Sequence, residues 1–180
     1  VATAARWRPW EGDGLEHLVL RESLTGIVAE SLVIAAEFAV RYRILCDAAW
    51  RTRGVEIAVL GDDRHLALIA DGAGRWSDGA GGAPLPALDG ALDVDLTCTP
   101  FTNTLPIRRL GLAPGVVAEI VVAYVRVPEL TIAPEGQRYT CLEPGRRYRF
   151  DALDGGFTRE IGVDEHALVT EYPGLFRRVS

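Results

Sequence analysis

Lysine and methionine are both missing from this 180-residue chain. All nineteen cations are arginine, the signature of an Ala-, Gly- and Arg-biased genome. Without methionine, Val1 reads as a trimmed or processed start. Cysteine is sparse and odd in number: Cys46, Cys98 and Cys141 are widely spaced and form no C-x-x-C pair, so neither a disulfide framework nor a zinc site is indicated. Each lies among apolar residues in an expected strand, where buried free thiols are common, and this suggests a reducing compartment. The opening VATAARWRPW lacks the apolar region of a signal peptide, so the expected location is cytoplasmic. No apolar run approaches the ~18 residues of a membrane span. The longest, Gly115 to Val125, contains Glu119. A net charge of −6 and a pI of about 5.1 argue against a nucleic-acid partner. G-x-S-x-G, G-x-G-x-x-G and Walker patterns are absent, and His17, His65 and His166 have no ligand-type neighbours at useful spacing. No cofactor and no metal is therefore expected.

What is present is a sheet. Hydrophobic residues make up 48% and charged residues 24%, ordinary for a globular protein. The length suggests one domain over 1–180, able to bury roughly 70% of its unfolded surface. Strands are expected over Glu16–Arg21, Gly26–Ile34 and Phe38–Asp47, the last alternating Phe38, Val40, Tyr42, Ile44 and Cys46 against Arg41 and Arg43. Further strands are expected over Trp50–Leu60 (Gly54 marking a bulge), His65–Ala70, Val116–Val127, Arg138–Leu142, Arg147–Phe150, Phe157–Val163 and Ala167–Tyr172. Trp7 and Trp10 fall in a polar lead-in, Asp71–Pro86 in a loop, and Leu175 and Phe176 in a tail tucked back. A weak helical period spans Ser31–Phe38. About ten strands without βα alternation predict a mainly β fold. The expected architecture is one curved antiparallel sheet, a half-barrel or open barrel, holding a short helical plug.

The plug comes from Leu92–Leu112, LDVDLTCTPFTNTLPIRRLGL. Leu92, Val94, Leu96 and Cys98 alternate with Asp93, Asp95 and Thr97 as in a strand. Pro100 ends that strand. Pro106 biases Leu105 away from the helical region and permits a helix to start, and Gly111 is placed to end it.

Asp93 and Asp95 fall on one strand face about 7 Å apart, a spacing compatible with paired-carboxylate glycoside hydrolysis, though an exposed polar face has the same pattern. Arg41/Arg43, Arg51/Arg53 and Arg147/Arg149 each place two guanidinium groups on one side of a strand, suited either to an anionic headgroup or to a solvated face neutralised by acids. Arg108 and Arg109 point about 100° apart on a helical turn and so form no single clamp. Trp50 and Trp76 suit core or rim positions as well as a ligand platform.

Several stretches resemble the "putative glycolipid-binding" protein family of bacteria. They are Tyr42-x-Ile44…Asp47…Trp50-x-Thr52-Arg53, Asp71-Gly72-x-Gly74-x-Trp76 and the run Asp93 to Leu110. Tyr124-Val125-x-Val127-Pro128, Gln137-x-Tyr139, Val163-Asp164 and Leu168-Val169-x-x-Tyr172-Pro173 follow in order, and the first dozen residues lie outside the resemblance. The resemblance implies a curved antiparallel sheet with a helical plug, like lipoprotein- and lipid-carrier folds, and transfers no catalytic residue. The expected function is binding of a lipid or glycolipid on the concave face, lined by Val117, Val121, Ala123 and Val125 or by the opposite face. Candidate ligand-binding residues are Asp93, Asp95, Asn103, Arg108, Arg109, Trp76 and Tyr124. The alternatives are a non-catalytic protein-interaction module whose groove is plugged by Leu105–Leu110, and a hydrolase of a sugar or lipid ester using Asp93 and Asp95.

Overall fold

A computed structural model describes residues 2–179. Among these residues fourteen strands form one sheet that does not close into a barrel. They are β1 (Ala2–Pro9), β2 (Gly14–Ser23), β3 (Gly26–Ala35), β4 (Ala39–Cys46), β5 (Thr52–Val59), β6 (His65–Ala70), β7 (Trp76–Asp78), β8 (Asp93–Leu96), β9 (Val117–Arg126), β10 (Thr131–Glu143), β11 (Arg147–Ala152), β12 (Thr158–Val163), β13 (Val169–Tyr172) and β14 (Phe176–Val179). The order across the sheet is β7-β6-β5-β4-β3-β2-β1-β14-β13-β12-β11-β10-β9-β8. Two meanders therefore meet where β1 pairs with β14, in register Trp7↔Arg178.

The expected strands are present, with additions. The lead-in forms β1, whose Ala5 and Trp7 point inward while Arg6 and Arg8 point out. Trp7 is tied down by its indole N–H, 2.7 Å from the Val169 carbonyl oxygen. The tail forms β14, and the expected loop over 71–86 contains β7. No helix forms near Ser31, because β3 continues to Ala35 with Ile27, Ala29, Ser31 and Val33 facing in. The β4–β5 pairing slips as expected, Leu45 facing Gly54 and Cys46 facing Thr52, which leaves Arg53 as the extra residue. Gly26 has a steric reason: a Cβ there would lie 2.5 Å from the Cys46 carbonyl oxygen.

One pair departs from an all-antiparallel sheet. β8 runs parallel to β9, with Asp93↔Val122 and Asp95↔Tyr124. Parallel neighbours need a crossover connection, here the segment that carries the short helix α1 (Thr104–Leu110).

That edge is rolled inside the sheet. Val94 and Leu96 share a face with Ala123 and Val125, and all four belong to a core that also holds Leu18, Tyr42, Ile57 and Trp76 from the β2–β7 side. Asp93 and Asp95 share the opposite face with Val122 and Tyr124, toward a second core built on Tyr139, Phe150, Ile161 and Tyr172. The sheet is thus a scroll whose β8 edge is covered on both faces. Its free edge is satisfied as well. The Thr52 N–H donates to the Leu92 carbonyl at 2.9 Å, and the Val94 N–H donates to Thr52 Oγ1 at 3.2 Å.

Candidate functional site

The segment after β8 is the plug. A 3₁₀ turn over Phe101–Asn103 leads into α1, so the helix begins two residues before Pro106. Pro106 still lies in the first turn, where backbone N–H groups have no intrahelical partner. Leu105 is helical despite preceding proline, because its side chain is wholly buried in the first core. Gly111 caps the helix at φ 54, ψ 41, the left-handed conformation expected of it. Phe101 and Leu105 fill the first core and Ile107 the second, so the plug joins the two.

Polar anchors hold it in place. Arg109 grips Asp93, with Nε 3.1 and 3.2 Å from the two carboxylate oxygens and Nη2 2.5 Å from Oδ2. Arg108 turns away, its Nη2 2.8 Å from Glu22 and its guanidinium carbon 4.4 Å from the Trp50 ring centre. The two arginines form no common clamp, as their helical offset predicts. Thr104 Oγ1 donates to the Ala167 carbonyl at 2.8 Å. Thr99 Oγ1 reaches Glu16 Oε1 at 2.9 Å, and the same oxygen accepts from Tyr42 at 2.6 Å and Ser31 at 2.8 Å. Glu16 Oε2 is buried without a partner among the described residues. Burial pushes the Glu16 carboxyl up to about 7, against the pull of those three hydroxyls.

Beside the plug, against β9–β11 and β13, lies a cleft of about 490 Å³. Its floor is polar and held in place. Asp95 Oδ1 accepts from Thr102 Oγ1 and Oδ2 from Gln137 Nε2, both at 2.7 Å. Asn103 Oδ1 accepts from the Tyr139 hydroxyl at 3.0 Å, and its amide donates to the Pro100 carbonyl at 3.3 Å. One wall is aromatic: Phe150 packs edge to face on Phe157 and Tyr172, which are tilted against each other, with ring centres 6.0–6.4 Å apart. Tyr124, Arg126, Glu135 and Asp154 also line it, with Leu175 and Phe176. Burial, then the charges of Asp95 and Asp154, raise the Glu135 carboxyl. Burial also raises Asp95, and burial with Glu135 and Asp95 raises the Tyr124 phenol.

Asp95, Asn103 and Tyr124 therefore meet in this cleft, with Asp93 and Arg109 in the ion pair next to Asp95 along β8. Arg108 lies on the far side of the plug, and Trp76 sits in the first core with its indole N–H 2.9 Å from the Ala91 carbonyl oxygen. The two aspartates share a face but not a role, since Asp93 is closed off by Arg109. Of the two linings expected, the face of Val117, Val121, Ala123 and Val125 does not reach the cleft, since Val117 and Val121 are exposed and Ala123 and Val125 are sealed in the first core, while the opposite face of β9 brings Tyr124 to it. The Arg-x-Arg pairs do not form one surface. Arg43 sits 3.6 Å from Glu30, Arg51 2.8 Å from Asp47, Arg147 3.7 Å from Glu143 and Arg149 3.1 Å from Asp151. A wider groove of about 620 Å³ lies on the outer face over β2–β6, between His17, Arg41, Glu56 and His65.

Glu135, Asp154, Phe157 and Gln137 were not foreseen as site residues. The signal for Gln137 was in the composition: the chain's only glutamine and its only asparagine, Gln137 and Asn103, both hold the floor of the cleft.

Fold and site define a scrolled β-sheet protein with a plugged interior and an aromatic-walled cleft. The chain belongs to the family described as "putative glycolipid-binding", whose model matches residues 4–178. The match includes most of the first dozen residues, which the resemblance had left out; they form β1, an integral strand. Among solved structures, a DUF1089-family protein from Pseudomonas aeruginosa is 38% identical with a TM-score of 0.81, over 96% of this chain and 95% of that one. No curated protein matches. Among the described residues, no helix is long and apolar enough to cross a membrane.

Proposed function

We propose that this chain binds a glycolipid by placing the sugar headgroup in the cleft between the plug and β9–β13. The observation that carries this reading is the pairing of an aromatic wall with a floor of fixed acceptors and an amide. A sugar ring offers C–H surface to Phe157 and Tyr172 and hydroxyls to Asp95, Glu135 and Asn103. The size fits, since small-molecule pockets run from about 300 to 1,000 Å³. The lipid chain leaves past Leu175, a half-open apolar side chain at 39% exposure. The floor is already hydrogen-bonded in place, so little ordering cost falls on binding.

The test is to extract the purified protein with organic solvent and analyse the extract by mass spectrometry. A glycolipid in near-stoichiometric amount is expected. An empty extract, repeated after incubation with a bacterial lipid extract, overturns the reading.

A further inference from the structure

We infer that the cleft selects sugar headgroups that are neutral or carry an amine and rejects those bearing phosphate, sulfate or uronate groups. This rests on the cleft being the headgroup site.

Several carboxylates of the chain are matched by arginines: Asp47, Asp62, Asp93, Asp151 and Asp164 each lie within 3.1 Å of a guanidinium nitrogen. Asp95, Glu135 and Asp154 line one small space, and none has a guanidinium within 4.0 Å among the described residues. Arg126 is the cation in the lining, so three carboxylates face one guanidinium. Arg109 does not relieve them, because its fork is spent on Asp93.

The charges are felt inside the cleft. Burial is the main cause of the raised Glu135 carboxyl and Tyr124 phenol, and neighbouring carboxylates add to it more than Arg126 takes away, which marks a negative potential there. Asp95 keeps both oxygens in hydrogen bonds from the neutral donors Thr102 and Gln137, with no guanidinium to offset it. Sugar hydroxyls can donate to such carboxylates in charge-assisted bonds, and an ammonium group gains further from the potential and the ring faces. An anionic substituent meets like charge in a partly desolvated space, the kind of repulsion that separates related ligands.

The experiment uses three soluble probes with one alkyl chain: octyl glucoside, octyl glucosaminide and octyl glucuronide. Each is titrated into the intact protein at neutral pH and low ionic strength, followed by calorimetry. The glucosaminide should bind at least as well as the glucoside. The glucuronide should bind roughly tenfold more weakly or worse, equivalent to about 1.4 kcal/mol. In Glu135→Gln and Asp154→Asn the glucuronide should recover to within a few-fold of the glucoside, and added salt should narrow the gap in the wild type. Glucuronide binding equal to or tighter than glucoside overturns the inference and leaves the glycolipid reading standing. A gap unchanged in both variants and in salt overturns the electrostatic origin and with it the inference. Failure of all three probes to bind overturns the headgroup site and the inference together.

Discussion

Arg109 holds Asp93 through both Nε and Nη2, and Asp93 has no exposed surface. The pair joins the last turn of α1 to β8, on the face that continues into the cleft floor at Asp95. Removing the arginine strands a buried carboxylate, which costs more than the intact pair contributes. Arg109→Leu should lower stability by about 3–5 kcal/mol in urea denaturation. Adding Asp93→Asn should restore part of that loss. If the double variant is as unstable as the single, the stranded charge is not the cause.

Glu16 gives the fold a pH dependence of unusual sign. Its carboxyl titrates at about 7 in the folded protein, against 4.5 in the unfolded chain. Between those values the folded state binds the extra proton, so unfolding releases it. The stabilisation is fully present below 4.5 and is lost as pH rises through 7, a swing of about 3 kcal/mol from this 3%-exposed group. Glu16→Gln should remove this component, so its stability relative to wild type rises between about pH 5 and pH 8. Identical slopes for the two proteins would contradict the assignment.

The end of the plug depends on one backbone conformation. Gly111 adopts φ 54, and a Cβ there would meet nothing within 4 Å. Gly111→Ala should therefore cost only the left-handed penalty, about 1 kcal/mol, read from the denaturation midpoint. A loss several times larger would mean that the side chain has a contact the structure does not show.

Neighbouring valines on β9 separate the two faces of the scroll. Val122 is 1% exposed behind Asp93, and Val121 is 42% exposed on the outside. Val122→Asp buries an unpaired charge and should cost at least about 3 kcal/mol. Val121→Asp should stay within about 0.5 kcal/mol of wild type. Similar losses for both would argue against the rolled-in edge.

The sequence carried the plug segment well. Its strand alternation, its proline stop and its Gly111 cap are local effects, readable from neighbours along the chain. It did not carry the roll. Whether Asp93 and Asp95 face solvent or a second core depends on β8 pairing parallel to β9, a contact set by residues nearly thirty positions apart. The same gap explains Trp76, whose motif marked it as notable while its place in the first core follows from the β6–β7 return and Ala91. Strands β1 and β14 were obscure because each carries two arginines and their pairing joins the two ends of the chain, with Trp7 beneath Arg178. Glu135 and Asp154 lie in different elements, so no spacing rule could bring them to Asp95.

The most direct test of the cleft as headgroup site is to titrate isotope-labelled protein with octyl glucoside and map the amide shifts. Saturable changes are expected at Asp95, Asn103, Tyr124, Glu135 and Phe157, with little change at His17, Arg41 and His65 in the outer groove. Saturable changes confined to the outer groove, or none at either place, would contradict it.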